Sequence, residues 1–94
     1  MKLIAMAIVV SVGLVATGAA SAQEALAKSS GCLNCHAVDT KKMGPSFKDV
    51  AAKYKGKADA EATLVAKISS GKGHPAVKAS ADDVKSLVTW VLSL

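Results

Sequence analysis

Residues 32–36 read Cys-Leu-Asn-Cys-His and hold both cysteines of a 94-residue chain and one of its two histidines. Two thiols and an imidazole within five positions must share one local structure, and whatever they bind constrains the fold around them. The constraint is severe because the folding part of the chain is small. Lys2 is followed by the apolar run LIAMAIVVSVGLVA and then by TGAASA. A basic start, an apolar stretch and an A-x-A-like exit predict a secretory leader over residues 1–22, cleaved after Ala22. The apolar run is shorter than the roughly 20 residues a spanning helix needs, so no stable membrane insertion is expected. The domain is then residues 23–94, which is 72 of the 94 residues. A domain of that size buries only about 60% of its unfolded surface and is marginal by itself. It needs a staple, and two cysteines cannot supply a multi-disulfide framework.

The apolar pattern after the leader is helical. Gln23 to Ser29 forms a short polar stretch with Leu26 as its large apolar residue. Ser46 to Lys55 follows Gly44-Pro45 and places Phe47, Val50, Ala51 and Tyr54 at i, i+3, i+4 and i+7, one helical face. Gly56 can end that helix. Asp59 precedes AEATLVAKISS, where Ala60, Leu64 and Ile68 align, and Gly71 closes the segment. Ser80 predicts an N-cap, Asp82 and Asp83 suit a first turn, and Val84, Leu87, Val88, Val91 and Leu92 line one face. No stretch alternates with a period of two. The predicted class is all-α, with two informative loops, 32–45 and 71–79.

Cys-x-x-Cys-His is the attachment pattern of c-type haem. Two thiols on a short helical segment can reach the two vinyl groups of a porphyrin, and the following His36 can place its imidazole on the iron. Cys32 and Cys35 would be thioether anchors and His36 the proximal ligand. Three other uses compete. A thioredoxin-like redox pair wants a βαβ context, which the pattern lacks. A zinc site wants four ligands, which Cys32, Cys35, His36 and His74 could supply on paper. A Cys32–Cys35 disulfide closes too small a loop to staple a domain. One covalently attached haem c accounts best for the motif, the leader and the small core.

CLNCH after a short helix, then KMGPSFKDVAAKY, then the closing SADDVKSLVTWVLSL resemble the small class I bacterial cytochromes c over nearly the whole of residues 23–94. The resemblance implies the class I cytochrome c fold, three to four short helices wrapped around one haem, and single-electron shuttling in the periplasm. It implies that Gly31 lies where the terminal helices cross, with Leu26 and Trp90 near the crossing. It implies that Pro45, in the Gly44-Pro45 turn, offers its carbonyl to the Nδ1–H of His36, fixing the ring and raising its basicity. It also implies a haem-propionate role for Lys67, whose plainer role is a solvated helix charge.

The distal side departs from the family. Its members carry a Met-Pro pair six residues before the last helix cap. Here His74 stands six residues before Ser80 and Pro75 follows it, so the resemblance implies a His-for-Met variant with a shortened loop. Met43, beside the Gly-Pro turn, is on the wrong side to serve. A surface role for His74, a vacant or water-bound position, and ligation by Lys72 or Lys78 are the alternatives. Two imidazoles favour ferric iron more than an imidazole and a thioether do, so a low potential is expected.

The chain has 12 lysines and no arginine against 7 acidic residues, a net charge of +5 that falls to +4 without Lys2. Scattered lysines and three aromatic residues do not suit a nucleic-acid reader. They suit steering toward redox proteins with an acidic docking surface. The expected protein is an electron carrier rather than an enzyme. The alternative is a haem protein that binds a gas or small ligand after displacing His74.

Overall fold

The computed structural model describes residues 17–94. Four α-helices follow in order: α1 Thr17–Ser29, α2 Phe47–Tyr54, α3 Ala60–Ser70 and α4 Ala81–Leu92, with a 3₁₀ turn over Cys32–Asn34 between α1 and α2. No strand occurs among the described residues, and the fold class is all-α. No helix among them is long and apolar enough to cross a membrane. Residues 1–16 of the expected leader lie outside the described residues.

The helix ends follow local chemistry. Ser46 Oγ accepts the Asp49 amide at 3.1 Å, and Ser80 Oγ accepts the Asp83 amide at 3.2 Å. Each satisfies one of the amides that a helix start leaves without a partner. Asp49, Asp82 and Asp83 lie in these first turns, where the helix dipole favours negative charge. Asp59 precedes α3 without a side-chain cap. Gly71 ends α3 at φ 69°, a left-handed conformation that costs a residue with a Cβ about 1–2 kcal/mol.

Two expectations need correction. The first helix begins at Thr17, not Gln23, and passes straight through Ala22. The alanine-rich run TGAASAQEALAKS favours helix on both sides of that point, so the expected leader end marks no helix boundary. Gly31 was expected to be small because helices cross there. A Cβ on Gly31 would meet only Asn34 Nδ2, at an ordinary 3.7 Å. What requires glycine is φ 85° between α1 and the 3₁₀ turn.

The core is formed where α4 packs against α2, α3 and α1. Leu64, Val84 and Val88 are its buried centre, with Val50, Tyr54, Ile68, Val77, Ala79 and Leu92 against it. Ala27 is the buried residue of α1, while Leu26 is half-buried. Trp90 is half-buried and meets the buried Phe47 edge-on at 5.7 Å between ring centroids. The predicted apolar faces are therefore real, but they are incompletely covered by protein. Val50, Tyr54, Ile68 and Val91 remain half-buried and turn toward one cavity.

Candidate haem-binding site

The segment after α1 folds back on itself through main-chain bonds. The His36 amide donates to Cys32 O at 3.0 Å, and the Gly44 amide donates to Cys35 O at 2.7 Å. The Phe47 and Lys48 amides donate to Ala37 O and Val38 O at 2.9 and 3.1 Å. Lys42 Nζ donates to Leu33 O at 3.0 Å. These bonds bring the Gly44-Pro45 turn over the His36 ring. His36 Nδ1 lies 2.6 Å from Pro45 O. A carbonyl only accepts, so Nδ1 carries a proton, and in the neutral ring Nε2 is then the acceptor. Phe47 stacks on the same imidazole, centroids 5.1 Å apart and planes 25° apart.

Gly44 is indispensable to this arrangement. A Cβ there would stand 2.5 Å from His36 Cε1, 2.9 Å from Nδ1 and 3.0 Å from Nε2. Only a bare α-carbon lets the turn lie against the ring. Cys32 and Cys35 are half-buried and not joined to each other, and burial raises the pKa of the Cys32 thiol. The 3₁₀ turn puts both immediately before His36, as the attachment pattern requires.

On the other side, residues 71–79 carry His74 toward the same cavity. Its Nδ1 lies 2.8 Å from Pro75 O, so this ring too donates from Nδ1, and in its neutral form Nε2 is the acceptor. The two imidazole planes are parallel within 5°, with centroids 6.1 Å apart. Both rings line a cavity of ≈ 240 Å³ together with Pro45, Val50, Tyr54, Leu64, Ile68, Val88 and Val91. A larger hollow of ≈ 680 Å³ lies among Lys48, Tyr54, Lys57 and Leu94 and contains no cysteine or histidine.

Lys67 also lines the cavity, and Gly73 crosses its stem so closely that a Cβ on Gly73 would stand 3.4 Å from Lys67 Cε. Lys72 and Lys78 are exposed and line no part of the cavity. Met43 is 87% exposed. Among the described residues no three His, Cys, Asp or Glu side chains converge as a metal site, so the four-ligand zinc arrangement is not assembled. Two cavity residues escaped the sequence analysis as site residues. Tyr54 carried only a core signal, and Lys53, beside it, carried none. Lys53 and Lys57 ammonium groups stand 5.7 and 5.2 Å from the Tyr54 ring centroid.

The family model for cytochrome c matches residues 16–94. The chain belongs to the cytochrome c family. Cytochrome c-551 of Pseudomonas aeruginosa is 44% identical over 94 residues, spanning 85% of this chain and 90% of that protein. Cytochrome c-552 of Nitrosomonas europaea is 42% identical over 89 residues, 86% of each. The crystal structure of the class 1 cytochrome MtoD from Sideroxydans lithotrophicus ES-1 superposes with a TM-score of 0.71 at 44% identity, covering 78% of this chain and 92% of that one. That of wild-type Nitrosomonas europaea cytochrome c552 gives 0.67 at 41% identity, over 76% and 98%.

This class I cytochrome c is a monohaem electron carrier with one covalently bound haem c, and it works with redox partners. The chemistry of its cavity lining suits that group. Most of the lining is apolar, both imidazoles direct Nδ1 to a carbonyl, and Lys53 and Lys67 supply cations. Such a group completes what the protein core leaves open: among the described residues no large side chain falls below 2% exposure. A planar apolar group between α2, α3 and α4 would cover the half-buried faces of Val50, Ile68 and Val91.

Proposed function

We propose that this cytochrome is an exported low-potential electron carrier whose haem is held by thioethers from Cys32 and Cys35 and by two imidazoles, His36 and His74. The observation that supports this reading is the pair of imidazoles that line one cavity with their planes parallel. Their centroids lie 6.1 Å apart with planes parallel within 5°, a spacing that would let both side chains hold one iron. Both have Nδ1 committed to a carbonyl, which is the tautomer a ligand needs.

When bound, haem c supplies a one-electron couple at its iron. The chain's own residues orient the ligands and set the balance between oxidation states. His36 is held by Gly44, Pro45 and Phe47, so the proximal ligand is rigid. His74 takes the position where a thioether would otherwise accept electron density. A second imidazole donates more strongly, stabilises the ferric state and lowers the potential. If His36 and His74 both hold the iron, no position would be left open to a substrate, which suits a carrier rather than a catalyst. Lys67, against Gly73 at the cavity margin, supports a role beside a haem carboxylate. The basic surface suits a partner with an acidic docking face. The leader over residues 1–22 directs the chain to the periplasm, and no stable membrane insertion follows its removal.

His74→Met tests the ligation. The reduction potential should rise by on the order of 0.1 V or more, within the roughly 0.8 V that axial ligation spans among haem proteins. An unchanged potential and visible spectrum would mean that His74 does not hold iron. Carbon monoxide added to the reduced protein should leave the spectrum as it is. Rapid formation of an adduct would point to a ligand-binding protein with a displaceable His74 instead.

A further inference from the structure

The distal imidazole is more tightly specified than ligation alone requires. Its ring is turned within 5° of the plane of His36, although the two residues lie on separate loops and each can rotate about its own side-chain bonds. On the proximal side the rotation is limited by three neighbours: the Pro45 carbonyl, the Phe47 ring and the Gly44 α-carbon. On the distal side the recorded polar contact of the His74 ring is a single one, Nδ1 to the carbonyl of the next residue, Pro75, at 2.8 Å.

We propose that the Pro75 carbonyl is the positioning group of the distal ligand, holding His74 as the Nδ1–H tautomer with its plane parallel to that of His36. The proposal rests on the bis-imidazole reading and adds to it which group sets the ring's rotation and its donor strength. Proline suits the task because its ring fixes φ near −65° and leaves the carbonyl few ways to turn. The flexible part of the loop lies upstream, at Gly71 and Gly73, both with positive φ. Loop mobility is thus separated from the two residues that aim the ligand.

Two consequences follow from ligand chemistry. A proton shared with a carbonyl gives the imidazole partial imidazolate character and makes it a stronger donor. Parallel imidazole planes direct their π-donor orbitals at the same iron d orbital, which splits the d levels and yields a rhombic low-spin ferric signal. Crossed planes leave those levels nearly equal and yield a signal dominated by one very large g value.

Electron paramagnetic resonance and potentiometry of the haem-loaded protein test the proposal. The unmodified protein should give a rhombic low-spin spectrum with three resolved g values. Replacing His74 by Nδ-methylhistidine keeps Nε2 for the metal and removes the donated proton. The spectrum should stay low-spin, the largest g value should increase as the ring turns, and the potential should shift upward. Pro75→Ala keeps the carbonyl but frees its φ, and should shift both readouts in the same direction by less. Unchanged g values and potential in the methylhistidine protein overturn the positioning role. A single very large g value in the unmodified protein overturns it too, while leaving two imidazole ligands in place. A high-spin spectrum or a thioether–iron band in the unmodified protein overturns the ligation itself, and the positioning role with it.

Discussion

The two loops that bring histidines to the cavity are built differently. The proximal segment, 32–45, is tied by main-chain bonds at Cys35, Ala37 and Val38, and its histidine is pressed between a carbonyl, an aromatic ring and a bare α-carbon. The distal loop, 71–79, forms no main-chain to main-chain hydrogen bond among those recorded for the described residues. The Lys72 amide reaches Ser70 Oγ at 3.2 Å, His74 reaches Pro75, and Val77 and Ala79 pack against the core cluster. One ligand is carried by a hydrogen-bonded frame, the other by a few apolar contacts and a proline. Stability should therefore depend on the first, and redox tuning on the second.

The sharpest way to break this contrast is to remove the proximal support. Phe47→Ala deletes a buried ring lying between His36 and Trp90, and should cost about 3–5 kcal/mol in chemical denaturation of the haem-loaded protein. A loss no larger than that of an exposed substitution would show that Phe47 is not structural support. Amide hydrogen exchange compares the loops directly. The amides of Ala76, Val77 and Lys78 should exchange at least about a hundredfold faster than those of Gly44 and Phe47, because local opening is cheap where no main-chain bonds must break. Equal protection would dissolve the distinction.

Two glycines make a narrower comparison. Gly44→Ala forces a methyl into the His36 ring and should cost about 1–3 kcal/mol with a changed visible spectrum. Gly71→Ala meets nothing closer than 3.8 Å and should cost only the positive-φ strain of about 1 kcal/mol, with the spectrum intact. Identical spectra in the two variants would count against the close approach at Gly44. The cap Ser46→Ala should cost about 1 kcal/mol by thermal or denaturant unfolding, since it releases the Asp49 amide in a buried setting. Smallest of all, Asp39→Asn removes an ion pair with Lys48 whose side chains are 66% and 57% exposed, and should change stability by less than about 1 kcal/mol. A larger loss would mean that this pair helps lock the proximal segment.

Helix periodicity made α2, α3 and α4 legible residue by residue, because each places its apolar side chains on one face and starts or ends at Ser46, Ser80 or Gly71. The same pattern could not reveal that Val50, Ile68 and Val91 face a cavity instead of other side chains, since periodicity records which face is turned inward but not what meets it there. Lys53 illustrates the limit further. It looks like any solvated helix charge, and only the packing of α2 against α4 brings it to the cavity margin beside Tyr54. α1 starts upstream of Gln23 because the alanine-rich residues on both sides of Ala22 favour helix, whatever the expected end of a leader.

Local chemistry, then, was determined by the sequence alone. Thiols three positions apart followed by an imidazole, a Gly-Pro turn eight and nine positions beyond His36, and caps at Ser46 and Ser80 all act over distances the chain itself sets. Tertiary structure decided what no spacing along the chain can encode. Thirty-eight positions separate His36 from His74, and their parallel orientation with centroids 6.1 Å apart arises only because α3 and α4 pack together and hold the ends of the loop between them. Relative orientation across that gap depends on rotations at many bonds, and these are settled by packing, not by residue order.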